Sequence, residues 1–148
     1  MNRWYDRFRA LDSGQPHELS SDYYLDDIYA FFLNCYHLKD WIKNDATLAT
    51  NVQLSVEPHI NSSRPLKLCG DICNSLKHLR LIRKNRSGES PAFGKKKFAL
   101  SLGTGPTTIS LKYEVMTTTV AIDAFQLATE CVESWNNFLA DNGLGLTP

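Results

Sequence analysis

Two short segments of the chain combine residue types that could carry out acid–base chemistry. In the first segment, His37 and Asp40 are three positions apart. Residues at this spacing are neighbours on one face of a helix, so the carboxylate could orient the imidazole as a general base. The alternative is a solvent-facing pair near a helix end, where a cationic histidine also suits the helix dipole.

The second segment places Asp71, Asn74 and His78 on one helix face, while Cys73 and Leu76 point away from it. A potential base, an amide and a carboxylate on one surface are a plausible catalytic set. The alternative is an ordinary polar face opposite a core stripe. If the two helices converge, their polar faces share one site, and the candidate catalytic residues are His37, Asp40, Asp71, Asn74, Lys77 and His78.

Some of the same side chains are also candidate metal ligands. His37, Asp40, Asp71 and His78 would offer two nitrogens and two carboxylates, a mixture that suits zinc or iron. However, the paired Glu-x-x-His pattern of di-iron bundles is absent. The sequence therefore predicts no metal and no other cofactor.

The composition predicts one domain, spanning residues 1–148, with 43% apolar residues available for a core. Its 16 basic and 16 acidic residues cancel, so the chain as a whole is not drawn to nucleic acid or membrane. It has no secretory signal and no apolar run long enough for a membrane span, which favours a cytoplasmic protein. The four cysteines lie at apolar helix positions and are expected to be reduced core residues.

The charges are unevenly distributed. Residues 77–97 contain eight basic residues and a single acid, Glu89. The part from 83 to 97 is predicted to be a loop, with lysines beside Phe93 and Phe98. Charge combined with aromatics is typical of surfaces that follow a nucleic-acid backbone, whereas the alternative is a solvated approach to a hairpin whose lysines discourage edge pairing. The candidate nucleic-acid-binding residues are Arg83, Lys84, Arg86, Lys95, Lys96 and Lys97.

Hydrophobic periodicity supplies the elements that must position these groups. It predicts helices over 1–13, 22–43, 63–81 and 121–142, and leaves 45–60 ambiguous between a helix through Val52 and irregular chain. Alternating residues over 98–102 and 109–115, across a Gly-Pro turn, predict a β-hairpin. The fold class is therefore mainly α (α+β), a bundle of four to five helices with a β-hairpin inserted before the last helix.

The motif from Asn74 to His78, on a late helix of a small bundle, resembles the HEPN superfamily. Its ribonuclease members carry an Arg, then a polar residue such as Asn, and a His a few positions further on. On this chain the Asn falls on Asn74 and the His on His78, while Cys73 stands where the Arg would be. The resemblance implies dimers with paired motifs across a cleft and metal-independent RNA cleavage, with Lys77 as an imperfect substitute for the Arg.

A second resemblance spans most of the chain. Helices with the patterns of Tyr36–Trp41 and Cys69–His78, followed by a last helix like Trp135–Leu139, are similar to an uncharacterised bacterial family of small helical proteins. This resemblance implies no particular activity.

Two functions from different classes follow. The first is a HEPN-like protein that engages RNA or another phosphate-bearing ligand, as a homodimer and, if active, as a ribonuclease-type effector. The second is a non-catalytic dimerisation or protein-interaction module of a defence or toxin–antitoxin system, with a partner encoded nearby. Cys73 favours the second for catalysis, while Asn74, Lys77 and His78 favour the first for binding.

Overall fold

The computed structural model describes residues 1–16, 21–77, 85–101 and 107–144. Within these ranges the chain forms five helices and a small antiparallel sheet, which confirms the predicted fold class. The helices are α1 (Asn2–Ser13), α2 (Ser21–Asn44), α3 (Thr50–Ser62), α4 (Arg64–Lys77) and α5 (Ala124–Asp141), and the strands are β1 (Gln15–Pro16), β2 (Ala92–Ser101), β3 (Thr108–Met116) and β4 (Ala121–Asp123).

Helix α2 is the centre of the molecule, and α1, α3, α4 and α5 all pack against it. Its side chains Ile28, Phe31, Phe32 and Cys35 are completely buried. The apolar residues of α2 cover far more than one stripe, because a helix with neighbours on several sides must bury several faces. None of the described helices is long and apolar enough to cross a lipid bilayer.

The ambiguous segment after α2 resolves into a turn and a helix. The side chain of Asp45 accepts hydrogen bonds from the backbone and hydroxyl of Thr47, and α3 then begins at Thr50. Of the two alternatives that the sequence left open for residues 45–60, the structure has a helix, but over Thr50–Ser62 rather than from Asp45 through Val52. Val52, Val56 and Ile60 recur at i, i+4 and i+8 and form the buried stripe of α3.

Helices α2 and α4 cross at Gly70. A Cβ atom at this position would lie 2.6 Å from Cε2 of Tyr36, so only glycine allows the two helices to approach this closely. The predicted extension of α4 to residue 81 lies outside the described residues beyond Lys77.

The sheet has the order β1-β3-β2, with β4 also paired to β3. In the β2–β3 hairpin, Phe98 lies opposite Leu111, and a bulge interrupts the register between Phe93 and Lys96. Residues 92–97 are therefore strand, and the prediction of a loop across them was wrong. The predicted start of the last helix at residue 121 was also early, because residues 121–123 form β4 and Asp123 caps α5 through the amides of Phe125 and Gln126.

Candidate functional site

The predicted pair on α2 is formed. Nδ1 of His37 lies 2.9 Å from Oδ2 of Asp40, and the two side chains are 38% and 47% exposed. The imidazole is therefore oriented by the carboxylate and still reachable from solvent.

Asp71 occupies the interior, which the helical spacing did not predict. It is only 2% exposed. Its Oδ1 accepts a hydrogen bond from the Arg86 amide at 2.7 Å, and its Oδ2 accepts from the amide and hydroxyl of Ser87 at 2.8 and 2.6 Å. A buried carboxylate needs such donors, and here they come from the turn before β2. Asp71 therefore anchors that turn.

The anchored turn, residues 85–89, is also held from its other side. The Asn85 amide group donates to the Glu89 carbonyl at 2.6 Å, and the Glu89 amide donates to Oγ of Ser87 at 3.0 Å. The Glu89 carboxylate accepts two bonds from the Arg64 guanidinium, at 3.1 and 3.2 Å. Hydrogen bonds from Thr117 and Arg64 lower the pKa of Glu89, so its carboxylate is ionised and fixes the turn against α4.

The turn places Arg86 against α3 and α2. Nη1 of Arg86 lies 2.9 Å from Oε2 of Glu57 on α3, and Nζ of Lys43 on α2 lies 3.0 Å from Oε1. Nζ of Lys39 is 3.8 Å from the same carboxylate. We call these residues, Lys39, Lys43 and Arg86 around Glu57, the cation cluster.

The electrostatics of the cation cluster favour anions. Burial would raise the pKa of Glu57, but hydrogen bonds from Lys43 and Arg86 outweigh it and lower the pKa overall, so the carboxylate is charged. Even so, three cations surround one acid, and the next acid, Asp40, lies 3.9 Å from Lys39. The group therefore retains a positive excess at a partly exposed surface.

The cation cluster also links two of the sequence-predicted groups. Lys39 lies between Asp40 and Glu57, and Arg86 carries the amide that Asp71 binds. The Asp71-anchored turn therefore contacts Glu57 through Arg86, whereas the His37–Asp40 pair is linked to Glu57 only through Lys39. Sequence reasoning did not select Lys39, Lys43 or Glu57, although the i, i+4 spacing of the two lysines on α2 was a usable signal.

The remaining predicted catalytic residues are placed only in part. Asn74 is partly buried on α4, and Lys77 is its last described residue. His78 lies outside the described residues, so its convergence with His37 stays a prediction.

The predicted nucleic-acid-binding residues are separated by the fold. Arg86 belongs to the cation cluster, whereas Lys95, Lys96 and Lys97 are exposed on β2, at the edge of the sheet. Nζ of Lys97 lies 3.0 Å from Glu114, and Nζ of Lys96 lies 5.7 Å from the centre of the Tyr113 ring. Arg83 and Lys84 lie outside the described residues.

Cys73, the residue that the resemblance to the HEPN superfamily aligns with an arginine, is 1% exposed, and its Sγ donates to the Phe32 carbonyl at 3.1 Å. Its interpretation as a core residue is confirmed, and an arginine there would place a charge in the interior. Comparison of the chain with protein-family models, with curated proteins and with solved structures finds no match.

Proposed function

We propose that the protein binds RNA or another phosphate-bearing ligand at the cation cluster. The observation that carries this proposal is the convergence of Lys39, Lys43 and Arg86 on one carboxylate, at distances of 2.9 to 3.8 Å. Guanidinium and ammonium groups are the side chains that bind phosphate oxygens most strongly. A phosphate would take over part of the coordination that Glu57 now supplies.

The surroundings support binding by preorganisation. Two backbone amides bound to Asp71 fix the turn that carries Arg86, so little conformational entropy is lost when the guanidinium meets a ligand. The His37–Asp40 pair lies at the same surface, through the contact of Asp40 with Lys39. Together these groups resemble a small anion site with an oriented imidazole beside it.

A catalytic version of the proposal keeps the HEPN-like assignment and a cytoplasmic location. In it, His78 is the general acid or base, Asn74 binds phosphate, and Lys77 replaces the missing arginine. The buried thiol at Cys73 supports binding rather than cleavage, because the charge-stabilising arginine of the motif has no counterpart at that position.

The test is RNA affinity measured by fluorescence anisotropy over a range of salt concentrations. The triple variant Lys39→Gln, Lys43→Gln, Arg86→Gln should bind at least about ten-fold more weakly, since each lost charged hydrogen bond is worth about 1.5–3 kcal/mol. The slope of log affinity against log salt should also become shallower by about 2, at about 0.7 for each single-strand phosphate contact.

A matched control removes the same charge elsewhere. The variant Arg3→Gln, Arg7→Gln, Arg9→Gln neutralises three cations of α1 and should leave the affinity nearly unchanged. Equal losses in both variants would mean that only net charge matters, and an unaffected cation-cluster variant would refute the proposal. Circular dichroism spectra of both variants establish that they are folded.

The second candidate, dimerisation, is favoured by β2. This strand is at the sheet edge, and its Phe98 and Leu100 are 45% and 58% exposed although they lie opposite buried residues of β3. An edge strand with exposed apolar side chains can pair with a second copy. Lys95 to Lys97 oppose such pairing by like-charge repulsion, which makes this candidate the weaker of the two. Sedimentation equilibrium tests it: Leu100→Lys should convert a β2-paired dimer into a monomer.

A further inference from the structure

Three cysteines from three different helices meet in the core. Cys35 comes from α2, Cys69 from α4 and Cys131 from α5, and all three are completely buried. Their Sγ atoms all lie within 4.8 Å of one another. The fold thus brings together the sulfur atoms of three cysteines that are far apart in the sequence. We call Cys35, Cys69 and Cys131 the thiol triad.

The helices around the thiol triad are fixed by neutral groups. The Nε1–H of Trp135 on α5 donates to the backbone carbonyl of Cys35 on α2 at 3.1 Å. The Cys69 thiol donates to the Phe32 carbonyl and the Cys131 thiol to the Pro65 carbonyl, each at 3.4 Å. Backbone carbonyls therefore fix the sulfurs of Cys69 and Cys131, while Trp135 fixes the backbone of Cys35.

Core packing alone accounts for a single buried cysteine, because the residue behaves as a small hydrophobe. Cys73 is such a case: it lies one turn from Cys69, its Sγ donates to the Phe32 carbonyl at 3.1 Å, and it does not belong to the thiol triad. Three helices that each present sulfur to the same point exceed what packing requires, since alanine or valine would fill the same space.

We propose that Cys35, Cys69 and Cys131 form a buried site for a soft, thiol-binding metal ion, copper(I). Among the described residues, no fourth His, Cys, Asp or Glu ligand atom joins the group of three. Thiolates bind both zinc and copper(I), but structural zinc sites almost always use four ligands, so a group of three sulfurs favours copper(I).

The charge balance also favours a monovalent ion. Cu⁺ forms a bond to one of the three sulfurs, the S–H bond of that thiol breaks, and the proton leaves to solvent, with no change of oxidation state. One thiolate and Cu⁺ are neutral together, while the other two sulfurs donate lone pairs. The core then gains no net charge. A net charge in the dry interior would be costly. Because every sulfur is fully buried, the ion enters during folding or on transient opening of the core.

The test measures copper(I) retention under anaerobic conditions, with the full chain refolded in the presence of Cu(I) and then titrated with the chromophoric chelator bicinchoninate. Wild type should retain one copper per chain. Losing a residue that only supports a metal ligand lowers affinity by roughly 10–100-fold. We expect a larger loss of copper affinity from each ligand variant: Cys35→Ser, Cys69→Ser and Cys131→Ser. Cys73→Ser, a buried cysteine on the same helix as Cys69, is the matched control and should retain copper.

Two results would overturn the site. The first is release of all copper by wild type at the lowest chelator concentration, and the second is a loss of affinity in Cys73→Ser as large as in the triad variants. Where a serine variant fails to fold, X-ray absorption on the copper-loaded wild type decides, since the proposal requires a shell of three sulfurs. A shell that contains nitrogen or oxygen, or tighter retention of zinc than of copper(I), would refute copper(I) binding by the triad.

Discussion

The thiol triad and the cation cluster both include residues of the central helix α2, but they differ in how their surroundings treat a charge. Cys35 of α2 faces the dry core, while Lys39 and Lys43, one and two turns later, reach the surface around Glu57. In the core, an uncompensated charge costs several kcal/mol, so only neutral or neutralised groups persist. At the surface, solvent screens each charge, and salt weakens its interactions. Changes near the triad should therefore alter stability, and changes in the cation cluster should alter binding.

The largest effect is expected at Trp135, the completely buried side chain that ties α5 to the carbonyl of Cys35. Trp135→Ala should lower the free energy of unfolding by about 3–5 kcal/mol, because it leaves a cavity and removes a buried hydrogen-bond donor. Urea denaturation followed by circular dichroism measures this. Trp135→Phe keeps most of the volume and should cost clearly less; equal losses would mean that the hydrogen bond, not the cavity, dominates.

Asp71 belongs to both regions in part: its side chain is buried like the thiol triad, but it binds the turn that carries Arg86 of the cation cluster. Asp71→Ala should cost about 2–3 kcal/mol, because three donors of Arg86 and Ser87 lose a charged acceptor. Asp71→Asn retains one acceptor oxygen and should cost less. Both variants should also weaken RNA binding, since the turn no longer fixes Arg86. A destabilised variant with unchanged affinity would separate the turn from the binding surface.

The sequence contained the elements of both regions but not their assembly. Helical spacing correctly paired His37 with Asp40, because both partners lie on one helix and local geometry is enough. It placed Asp71 on the outer face, since spacing along one helix does not reveal that the turn at Arg86 and Ser87 folds over it.

The thiol triad lay beyond sequence reasoning for the same reason. The local pair Cys69 and Cys73 suggested core packing, and the structure buries both. The partners of Cys69 in the triad are Cys35 and Cys131. These residues are far from Cys69 in the sequence, and only the packing of α2, α4 and α5 brings the three together. The β2 lysines were misplaced in a loop because the bulge between Phe93 and Lys96 interrupts the alternation by which strands are recognised.

A smaller effect on stability is expected at Glu57, and it should depend on pH. The folded-state pKa of this carboxyl is lowered from the unfolded value of about 4.3, so its stabilisation is complete above that value and is lost as pH falls through the folded pKa. Glu57→Gln should cost less than about 1 kcal/mol at pH 7, since the pairs are partly exposed. Between pH 7 and pH 2, the melting temperature of this variant should fall less steeply than that of wild type.

The exposed Glu133→Gln is the control and should keep the wild-type profile. A Glu57→Gln profile parallel to wild type would contradict the ionic role of the cluster.

The smallest effect is expected from the lysines of β2, and it should appear only in the salt dependence of binding. Lys97 is already paired with Glu114, and Lys96 lies over Tyr113, whereas no partner of Lys95 is found in the part of the chain that the structure describes. The variant Lys95→Gln, Lys96→Gln, Lys97→Gln should therefore make the salt slope shallower by about 0.7 for each lysine that meets a phosphate, with Lys95→Gln alone giving most of the change. The unfolding free energy should stay within about 0.5 kcal/mol of wild type, as for most surface substitutions.

An unchanged slope would confine phosphate contacts to the cation cluster and leave the β2 lysines as charges that keep the sheet edge from pairing. A change larger than that of the cation-cluster variant would instead move the main binding surface to the sheet.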